Sequence, residues 1–380
     1  MGLFSGISIL QHTCRLNNPI FKSHIMKQVA IIGTQGVPAR YGGFESLVEN
    51  IIGENCPADI RYTVFCSSKD LSSRNSSYKG CSLKYIPLHA NGSQSIPYDI
   101  ISLCKAIRGY DVVLVLGVSG CSFLPIFRLF SRTRLIVNID GLEHRRDKWG
   151  RVARWILRFS ESMAVRYADV VISDNKGIQD YVRETYHKES ALIAYGGDHV
   201  GRDLSKETQQ KYLGQYGLTP GEYAITVCRI EPENNCHITL EAFARSKKRL
   251  VFIGNWNHSE YARNLKARYN AYPNISCLDA IYDLDVLYAL RSNAGVYVHG
   301  HSAGGTNPSL VEAMFFGCPI LAYDVVYNRE TTHGQAYYFS NVEELEKLLL
   351  RTDLQGDIMK SIAEEEYTWK HITLQYCALY

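Results

Sequence analysis

Short apolar segments rich in β-branched residues alternate with longer amphipathic segments along most of the chain. The apolar segments predict strands, because β-branched side chains suit a pleated, buried surface. We predict strands at 29–32, 62–65, 83–86, 112–116, 135–139, 170–172 and 192–194, and then at 223–228, 250–253, 275–278, 295–298 and 319–323. Helical periodicity fills many of the gaps, at 44–55, 98–108, 149–167, 238–246, 261–271 and 308–316. This alternation predicts βαβ units and parallel sheets that are covered by helices on both faces.

A polar, glycine-containing stretch near 196–222 separates the two series of strands. We therefore predict an α/β protein with two Rossmann-like domains, at 27–196 and 197–360. Residues 1–26 are predicted to be an extension outside the fold, and 361–380 to be a C-terminal helix that packs back on the N-terminal domain. Because open parallel sheets bind ligands beyond the carboxyl ends of their strands, we expect the site in the cleft between the domains.

Composition supports a globular protein with two cores, since 46% of the 380 residues are hydrophobic and 21% are charged. The longest uncharged run, 112–127, is shorter than the about twenty residues that a membrane helix needs. Residues 1–25 lack the pattern of a signal peptide. The eleven cysteines include no C-x-x-C pair. They are typical of reduced thiols in a cytoplasmic protein, and we expect no structural metal.

Charge is distributed unevenly along the chain. Residues 1–195 carry 24 Lys+Arg and 16 Asp+Glu, a balance of +8, whereas residues 196–380 carry 17 and 22, a balance of −5. A basic N-terminal half indicates an anionic partner, either a phosphate-bearing substrate or an acidic membrane surface. An uneven distribution of solvated charge explains the same numbers equally well. No nucleic-acid partner is expected.

Glycines crowd the segment after the first predicted strand, GTQGVPARYGGFE at 33–45. It has neither the Gly-Lys-Ser/Thr of a Walker A loop nor a G-x-G-x-x-G dinucleotide fingerprint. Glycines before a helix expose backbone N–H groups that can bind an anion, which makes Gly42 and Gly43 candidates for a ligand contact. A tight turn between strand and helix is the alternative.

The segment NIDGLEHRRDKW at 138–149 follows another predicted strand and brings together acidic, imidazole and guanidinium groups. Asp140 is the candidate nearest to the end of that strand. The next helix carries Arg151, Arg154 and Arg158 beside the apolar residues Val152, Trp155, Ile156 and Phe159. A basic, aromatic helix of this kind suits a membrane surface, and an ordinary amphipathic helix has the same pattern.

Two further segments belong to the second domain. Arg229 lies just beyond the end of its first predicted strand, where a guanidinium can pair with a diphosphate. The segment 299–314 reads as a strand end, a glycine-rich loop and a helix with Asn307 at the N-cap and Pro308 at the first helical position. Glu312 lies just over one turn inside this helix, where its carboxylate can accept ribose hydroxyls if a diphosphate lies at the helix start.

These motifs resemble the glycosyltransferase family 4 enzymes over almost all of residues 27–380. The N-terminal half is similar to a branch with a domain of unknown function, found in bacterial rhamnosyltransferases of capsule and O-antigen assembly. The residues that carry the resemblance are GTQGVPARYGGFE at 33–45, SIPYD at 95–99, DGLEHRRDKW at 140–149, RIEPENN at 229–235 and HSAGGTNPSLVEAM at 301–314.

The resemblance implies a GT-B architecture and a retaining glycosyl transfer that needs no metal or other cofactor. Its implied donor is a nucleotide sugar, with dTDP-L-rhamnose the first choice, and its implied acceptor is a lipid-linked diphosphate saccharide. We expect a cytoplasmic protein, with the inner face of the plasma membrane as a docking surface. The implied catalytic residues are Asp140 near the acceptor, Arg229 on the diphosphate and Glu312 on the ribose. The implied donor contacts are Gly42, Gly43, Gly304, Gly305, Thr306 and Asn307.

Two positions depart from the wider family. That family has two glutamates eight residues apart, and Gly304 stands at the place of the first. It also usually has a lysine where this chain has Asn234. The rhamnosyltransferase-like branch shares both changes, so they favour a different donor sugar over an inactive protein, and no side chain is assigned to the sugar hydroxyls.

Three other functions are alternatives to glycosyl transfer. A nucleotide-sugar 2-epimerase would need no acceptor, and a non-catalytic binding module would explain Gly304. An NAD-dependent oxidoreductase would need a fingerprint that the chain lacks. The Asp283-Leu284-Asp285 triplet resembles a metal-binding D-x-D, but it begins a predicted helix, so we interpret Asp283 as a helix cap.

Overall fold

The structure is a computed structural model that describes residues 26–39, 42–53, 56–142, 144 and 150–380. The predicted extension at 1–26 therefore lies outside the described residues except for Met26. The described chain forms two α/β domains, each built on its own sheet. This confirms the predicted fold class.

The first sheet has eight strands in the order β3-β4-β2-β1-β5-β6-β7-β8, parallel throughout except for the pairing of β3 with β4. Its strands are β1 (Lys27–Ile32), β2 (Ile60–Ser67), β3 (Ser77–Tyr78), β4 (Cys81–Ile86), β5 (Val112–Leu116), β6 (Arg134–Asn138), β7 (Val170–Ser173) and β8 (Ala191–Leu192). The helices of this part of the chain are α1 (Gly43–Ile51), α2 (Ser95–Lys105), α3 (Leu124–Phe130), α4 (Arg151–Tyr167) and α5 (Lys176–Tyr186).

The second sheet has six parallel strands in the order β11-β10-β9-β12-β13-β14. Its strands are β9 (Tyr223–Val227), β10 (Arg249–Ile253), β11 (Ile275–Leu278), β12 (Val296–His299), β13 (Ile320–Tyr323) and β14 (Tyr337–Phe339). The remaining helices are α6 (Lys206–Gln215), α7 (Cys236–Arg245), α8 (Glu260–Tyr269), α9 (Leu284–Ser292), α10 (Pro308–Met314), α11 (Val326–Thr331), α12 (Val342–Leu349), α13 (Asp357–Glu366) and α14 (Trp369–Ala378).

Each sheet has a core on both faces, as the apolar sequence of its strands requires. In β1, Val29 and Ile31 join one buried cluster, whereas Ala30 and Ile32 join the cluster on the opposite face. The strand order reverses between β1 and β5 in the first sheet and between β9 and β12 in the second. Such a reversal opens a crevice at the carboxyl ends of the strands, where ligands can bind. Each of the two sheets therefore has one such crevice.

The C-terminal segment differs from the prediction. The helix predicted at 361–380 is two helices, because the chain turns between α13 and α14. Met359 and Ala363 of α13 pack in a core of the second sheet, whereas Trp369, Ile372 and Tyr376 of α14 pack in a core of the first. The last helix therefore returns to the N-terminal domain, while the one before it stays with the C-terminal domain.

The chain crosses between the domains twice, and the two crossings lie side by side. The backbone N–H of Gly197 donates to the carbonyl of Tyr367 over 2.8 Å. A side chain at Gly196 would lie 2.6 Å from the Trp369 ring, so the crossings pack without space for a Cβ atom. Strand β8 ends at Leu192, two residues before the predicted end of this strand. The chain then runs through these two glycines into the C-terminal domain.

Candidate active site

The loop after β1 is held by a buried carboxylate. Glu45 accepts hydrogen bonds from the Thr34 hydroxyl over 3.0 Å and from the Gln35 N–H over 2.8 Å. Gly42, with φ of 130°, passes so close that a Cβ atom there would lie 1.9 Å from Glu45 Oε2. Only glycine fits this position. Gly42 thus shapes the loop, and Gly43 begins α1 directly after it.

Glycines from the two domains meet at the cleft. A Cβ atom on Gly43 would lie 3.6 Å from the Pro308 ring and 3.6 Å from the Tyr195 hydroxyl. A Cβ atom on Gly141, next to Asp140, would lie 2.5 Å from the Cα of Gly304. The start of α1 and the loop after β6 therefore both face the glycine-rich loop before α10.

Asp174 lies beneath this junction, immediately after β7. Its side chain is 2% exposed, and a Cβ atom on Gly305 would lie 1.9 Å from its Oδ1. That oxygen has no hydrogen-bond partner among the described residues. Burial, together with the charge of nearby Asp140, raises the pKa of the Asp174 carboxyl well above its ordinary value. Its environment thus favours the neutral form of this carboxyl, which packs against the glycine-rich loop.

The same segment binds the C-terminal domain through hydrogen bonds. The Thr306 hydroxyl donates to the carbonyl of Asp174 over 2.5 Å. The amide of Asn175 donates to the Thr306 hydroxyl over 3.3 Å and to the Tyr327 carbonyl over 3.2 Å. Thr306 thus joins the domains from a buried position.

Arg229 follows β9 by two residues and lies at the crevice of the second sheet. Its side chain is 42% exposed, and its guanidinium lies 3.6 Å from a Glu231 carboxylate oxygen and 3.8 Å from one of Glu233. These long, exposed pairs are weak, because water screens them. The guanidinium is therefore free to exchange these partners for a phosphate.

Asn234 connects the segment that carries Arg229 to the glycine-rich loop. Its amide donates to the carbonyl of Arg229 over 2.8 Å, and its Oδ1 lies 2.7 Å from Nδ1 of His301. Ser302 adds two hydrogen bonds, from its N–H and its hydroxyl, to the carbonyl of Glu233. The glycine-rich loop is thereby fastened to the segment that carries Arg229.

Asn307 and Pro308 start α10 as predicted. The Asn307 side chain accepts from the Ser309 N–H over 3.0 Å, and Pro308 is the first helical residue. Asp283 likewise caps α9 by accepting from the N–H groups of Asp285 and Val286. This confirms the interpretation of the D-x-D triplet as a cap. Among the described residues, no group of three or more His, Cys, Asp or Glu side chains is placed to hold a metal ion.

Glu312 is a partly buried, paired carboxylate. Its Oε2 lies 2.7 Å from Nη1 of Arg291, and its Oε1 lies 3.5 Å from Nε2 of His199. Burial raises the pKa of the Glu312 carboxyl, but Arg291 and His199 outweigh that effect and lower the pKa to about 2. The carboxylate thus stays ionised.

A cavity of about 110 Å³ opens beside Glu312. Its lining combines the charged groups with apolar side chains of α9, and it consists of His199, Val200, Arg202, Leu284, Leu287, Tyr288, Arg291, Glu312 and Phe316. An ionised acceptor at the wall of a half-apolar cavity suits a small ligand with hydroxyl groups.

Two family models match the chain. Residues 26–198 match a domain of unknown function, DUF1972, and residues 209–352 match the glycosyl transferases group 1. The C-terminal domain is therefore a glycosyl transferases group 1 domain. A search of curated protein sequences finds no significant match.

Several solved structures share the fold of this chain. Sucrose-phosphate synthase from Thermosynechococcus elongatus is 17% identical, with a TM-score of 0.76 over 93% of this chain and 98% of that one. HepE from Anabaena, in complex with UDP-glucose, is 15% identical, with a TM-score of 0.73 over 93% and 98%. A glycosyltransferase from Rickettsia africae is 13% identical, with a TM-score of 0.68 over 93% and 97%. These likenesses confirm the GT-B architecture.

The structure distributes the predicted site residues over two places. Gly43, Gly304, Gly305 and Thr306 meet at the domain junction together with Asp140, whose charge reaches Asp174. Arg229 and Glu312 lie in the C-terminal domain, Arg229 in the segment that is hydrogen-bonded to the glycine-rich loop and Glu312 on the helix that follows this loop. Gly42 contacts Glu45 of its own domain.

Sequence reasoning missed Asp174, Arg291 and His199. Asp174 had a usable signal, since a Ser-Asp-Asn sequence follows the predicted strand at 170–172. Arg291 and His199 had none, because an arginine near a helix end and a histidine in a linker are common. Only the packing of α9 and the linker against α10 brings them to Glu312.

Proposed function

We propose that the protein is a retaining, metal-independent glycosyltransferase that transfers L-rhamnose from dTDP-L-rhamnose to a lipid-linked saccharide in cell-surface polysaccharide synthesis. The observation that carries the proposal is that an exposed guanidinium, Arg229, and an ionised carboxylate, Glu312, lie on the two segments that adjoin one glycine-rich loop. A nucleoside diphosphate has the matching groups, an anionic diphosphate and ribose hydroxyls. The Anabaena complexes with UDP and UDP-glucose support a nucleotide-sugar donor for this fold.

In this proposal the diphosphate lies between Arg229 and the start of α10. Within the segment 229–235 Arg229 is the one cationic side chain, since Asn234 stands in place of the usual lysine. The amide of Asn234 donates to the carbonyl of Arg229. The ribose lies in the cavity beside Glu312 and donates to the free lone pairs of Oε1. Arg291 holds that carboxylate ionised, so it accepts strongly.

The transfer itself breaks one bond and forms one. The bond between the sugar C1 and the β-phosphate oxygen breaks, and the electron pair leaves with the nucleoside diphosphate. The acceptor hydroxyl oxygen bonds to C1 on the same face, and its proton passes to the leaving phosphate. The protein positions both partners and stabilises the charge that develops on the phosphate.

The acceptor is proposed to reach C1 from the N-terminal side, past Asp140. This residue lies two positions beyond the end of β6 with φ of 58°, and its N–H donates to Asn138 Oδ1 over 2.9 Å. Gly141 beside it contacts the glycine-rich loop of the donor side. A carboxylate at this point can accept a hydrogen bond from the acceptor hydroxyl.

The experiment is a panel of nucleotide sugars, including dTDP-L-rhamnose, UDP-glucose and GDP-mannose, incubated with membrane-extracted lipid-linked acceptors and followed by mass spectrometry. A mass increase of one deoxyhexose with dTDP-L-rhamnose supports the proposal. Transfer from another nucleotide sugar alone refutes the rhamnosyl assignment. A new sugar nucleotide formed without acceptor indicates an epimerase. Activity should survive EDTA.

A further inference from the structure

Two neighbouring helices of the N-terminal domain expose large apolar side chains to solvent. Leu129 of α3 is 78% exposed and Trp155 of α4 is 69% exposed. The complete set is Ile126, Leu129, Phe130, Val152, Trp155 and Phe159, which we name the α3–α4 surface. Scattered apolar residues are normal on a surface, but six on two adjacent helices mark an interaction site.

The exposed apolar residues of each helix share one face, and the two helices are neighbours. The residues of α3 follow an i, i+3, i+4 pattern and those of α4 an i, i+3, i+7 pattern, so each set lies on one helix face. Both helices pack on the same side of the first sheet, through Phe127 and Ala164, and they contact each other. Trp155 and Phe159 stack with ring centroids 6.1 Å apart.

The charges around the surface are positive. The exposed charged residues of α4 are Arg151, Arg158 and Arg166, and Arg132 is exposed just beyond α3. Within α3 and α4, both described in full, the one acid is Glu161, which is buried and accepts hydrogen bonds from Tyr181 and Tyr186. Just beyond α4, the exposed carboxylate of Asp169 is paired with Arg128 of α3 over 2.7 Å. An apolar face that is rimmed by arginines, and whose neighbouring acids are buried or paired, matches an anionic bilayer.

We propose that the α3–α4 surface rests on a membrane that contains anionic lipids, with its apolar side chains in the headgroup region. In the described part of the chain no helix is long and apolar enough to cross a bilayer. The contact would therefore be peripheral, through one face of two helices. It would be strengthened by the excess of eight positive charges on residues 1–195.

This contact would also position the acceptor side of the site, a consequence that rests on the proposed function. His144, from the loop that begins at Asp140, lies with Nδ1 2.9 Å from a carboxylate oxygen of Glu161 on α4. Through this contact, a membrane beneath Val152 and Trp155 would hold His144, and with it the acceptor side of the site, at a defined distance from the lipid. A lipid-linked acceptor would then present its saccharide to the cleft.

The test is flotation of the full-length protein with vesicles of phosphatidylcholine alone or mixed with phosphatidylglycerol. Two double variants address the surface, Trp155→Ser with Phe159→Ser and Arg151→Glu with Arg158→Glu. Matched controls change similar residues elsewhere, Leu350→Ser at a 76% exposed leucine and Lys206→Glu with Lys211→Glu on α6. Thermal unfolding and circular dichroism confirm that each variant is folded.

We expect binding to the mixed vesicles and a loss of at least about tenfold in partition for both surface variants, with the controls unchanged. No vesicle binding, equal binding to neutral vesicles, or binding that survives both surface variants would overturn the proposal. A dimer in light scattering that these variants abolish, without vesicle binding, would assign the surface to a second copy instead.

The failure of this inference can be separated from failure of the proposed function. With a water-soluble, short-chain acceptor analogue, both surface variants should keep the transfer rate of the unaltered protein. Reduced transfer with the soluble acceptor would place α4 in the active site itself and overturn a purely membrane role. Absence of transfer in the unaltered protein would refute the enzyme assignment and leave the vesicle result standing.

Discussion

Replacement of Glu312 by glutamine removes one charge from the pair with Arg291 and keeps the shape of the side chain. From the sequence alone, Glu312→Ala is expected to affect donor binding and leave the fold intact. The contact with Arg291 changes that expectation. Arg291 is 4% exposed and its Nε has no hydrogen-bond partner among the described residues. Without the carboxylate, a buried guanidinium keeps its charge and loses its counterion.

The size of the effect follows from the pKa. A carboxyl whose pKa falls from 4.5 to about 2 on folding contributes about 3 kcal/mol to the free energy of unfolding at neutral pH. Breaking a buried pair by removing one partner typically costs about 3–5 kcal/mol, which agrees. Because the folded pKa is the lower one, this stability is complete above pH 4.5 and is lost as the pH falls towards 2.

The assay is urea unfolding of the unaltered protein and of Glu312→Gln at several pH values. The variant should be less stable by about 3 kcal/mol at pH 7, and by about half of that at pH 3. Asp353→Asn is the control, since Asp353 is 70% exposed in its pair with Arg351 and its loss should not change stability measurably. Nucleotide affinity, measured by calorimetry on the folded variants, separates donor binding from stability.

Two results would refute this reasoning. A stability difference below about 1 kcal/mol at pH 7 would mean that Arg291 is solvated well enough to need no counterion. If the two proteins differ in the free energy of unfolding by the same amount at pH 7 and at pH 3, Glu312 stabilises the fold through packing and not through its charge.

Three further predictions concern other parts of the molecule. Arg229→Ala should lower kcat/KM by about 10²–10³-fold, and Arg229→Lys should recover part of it, as steady-state kinetics will show. Gly141→Ala should cost about 100-fold in kcat/KM, because its Cβ meets Gly304 at 2.5 Å, whereas Gly214→Ala, in open space, should keep full activity. Burial raises the pKa of Asp99 to about 8, so the folded chain binds a proton that the unfolded chain releases above its ordinary pKa of 3.8. Stability should therefore fall between pH 4 and 8, and Asp99→Asn should remove that fall in thermal unfolding curves.

The proposed reaction and the proposed membrane surface meet at one structural element. The loop after β6 carries Asp140 at its start and α4 at its end, and the hydrogen bond between His144 and Glu161 ties the two. Orientation of α4 on a lipid surface would thus be transmitted to the acceptor side of the cleft through this hydrogen bond. The donor side, on the other domain, is joined to it through Asp174, Asn175 and Thr306.

The sequence by itself determined the features that depend on neighbours along the chain. The bounds of strands such as Val112–Leu116 and Ile275–Leu278 were predicted to the residue. A short, mainly apolar run between turn signals is typical of a strand that is covered on both faces of a parallel sheet. The cap at Asn307 and the glycine-rich loop before it were equally local. Their position at the carboxyl ends of strands already indicated the crevice.

Only the tertiary structure decided which residues distant in the sequence form ion pairs, and where the C-terminal helices begin and end. Glu312 is paired with Arg291 and His199 because α9 and the interdomain linker pack on α10, and no periodicity in the sequence records that packing. The division of 361–380 into two helices follows from the need of Trp369 and Tyr376 to reach the core of the other domain. The raised pKa of the Asp174 carboxyl has the same origin, since Gly305, which packs against it, lies across the domain junction and 131 positions further along the chain.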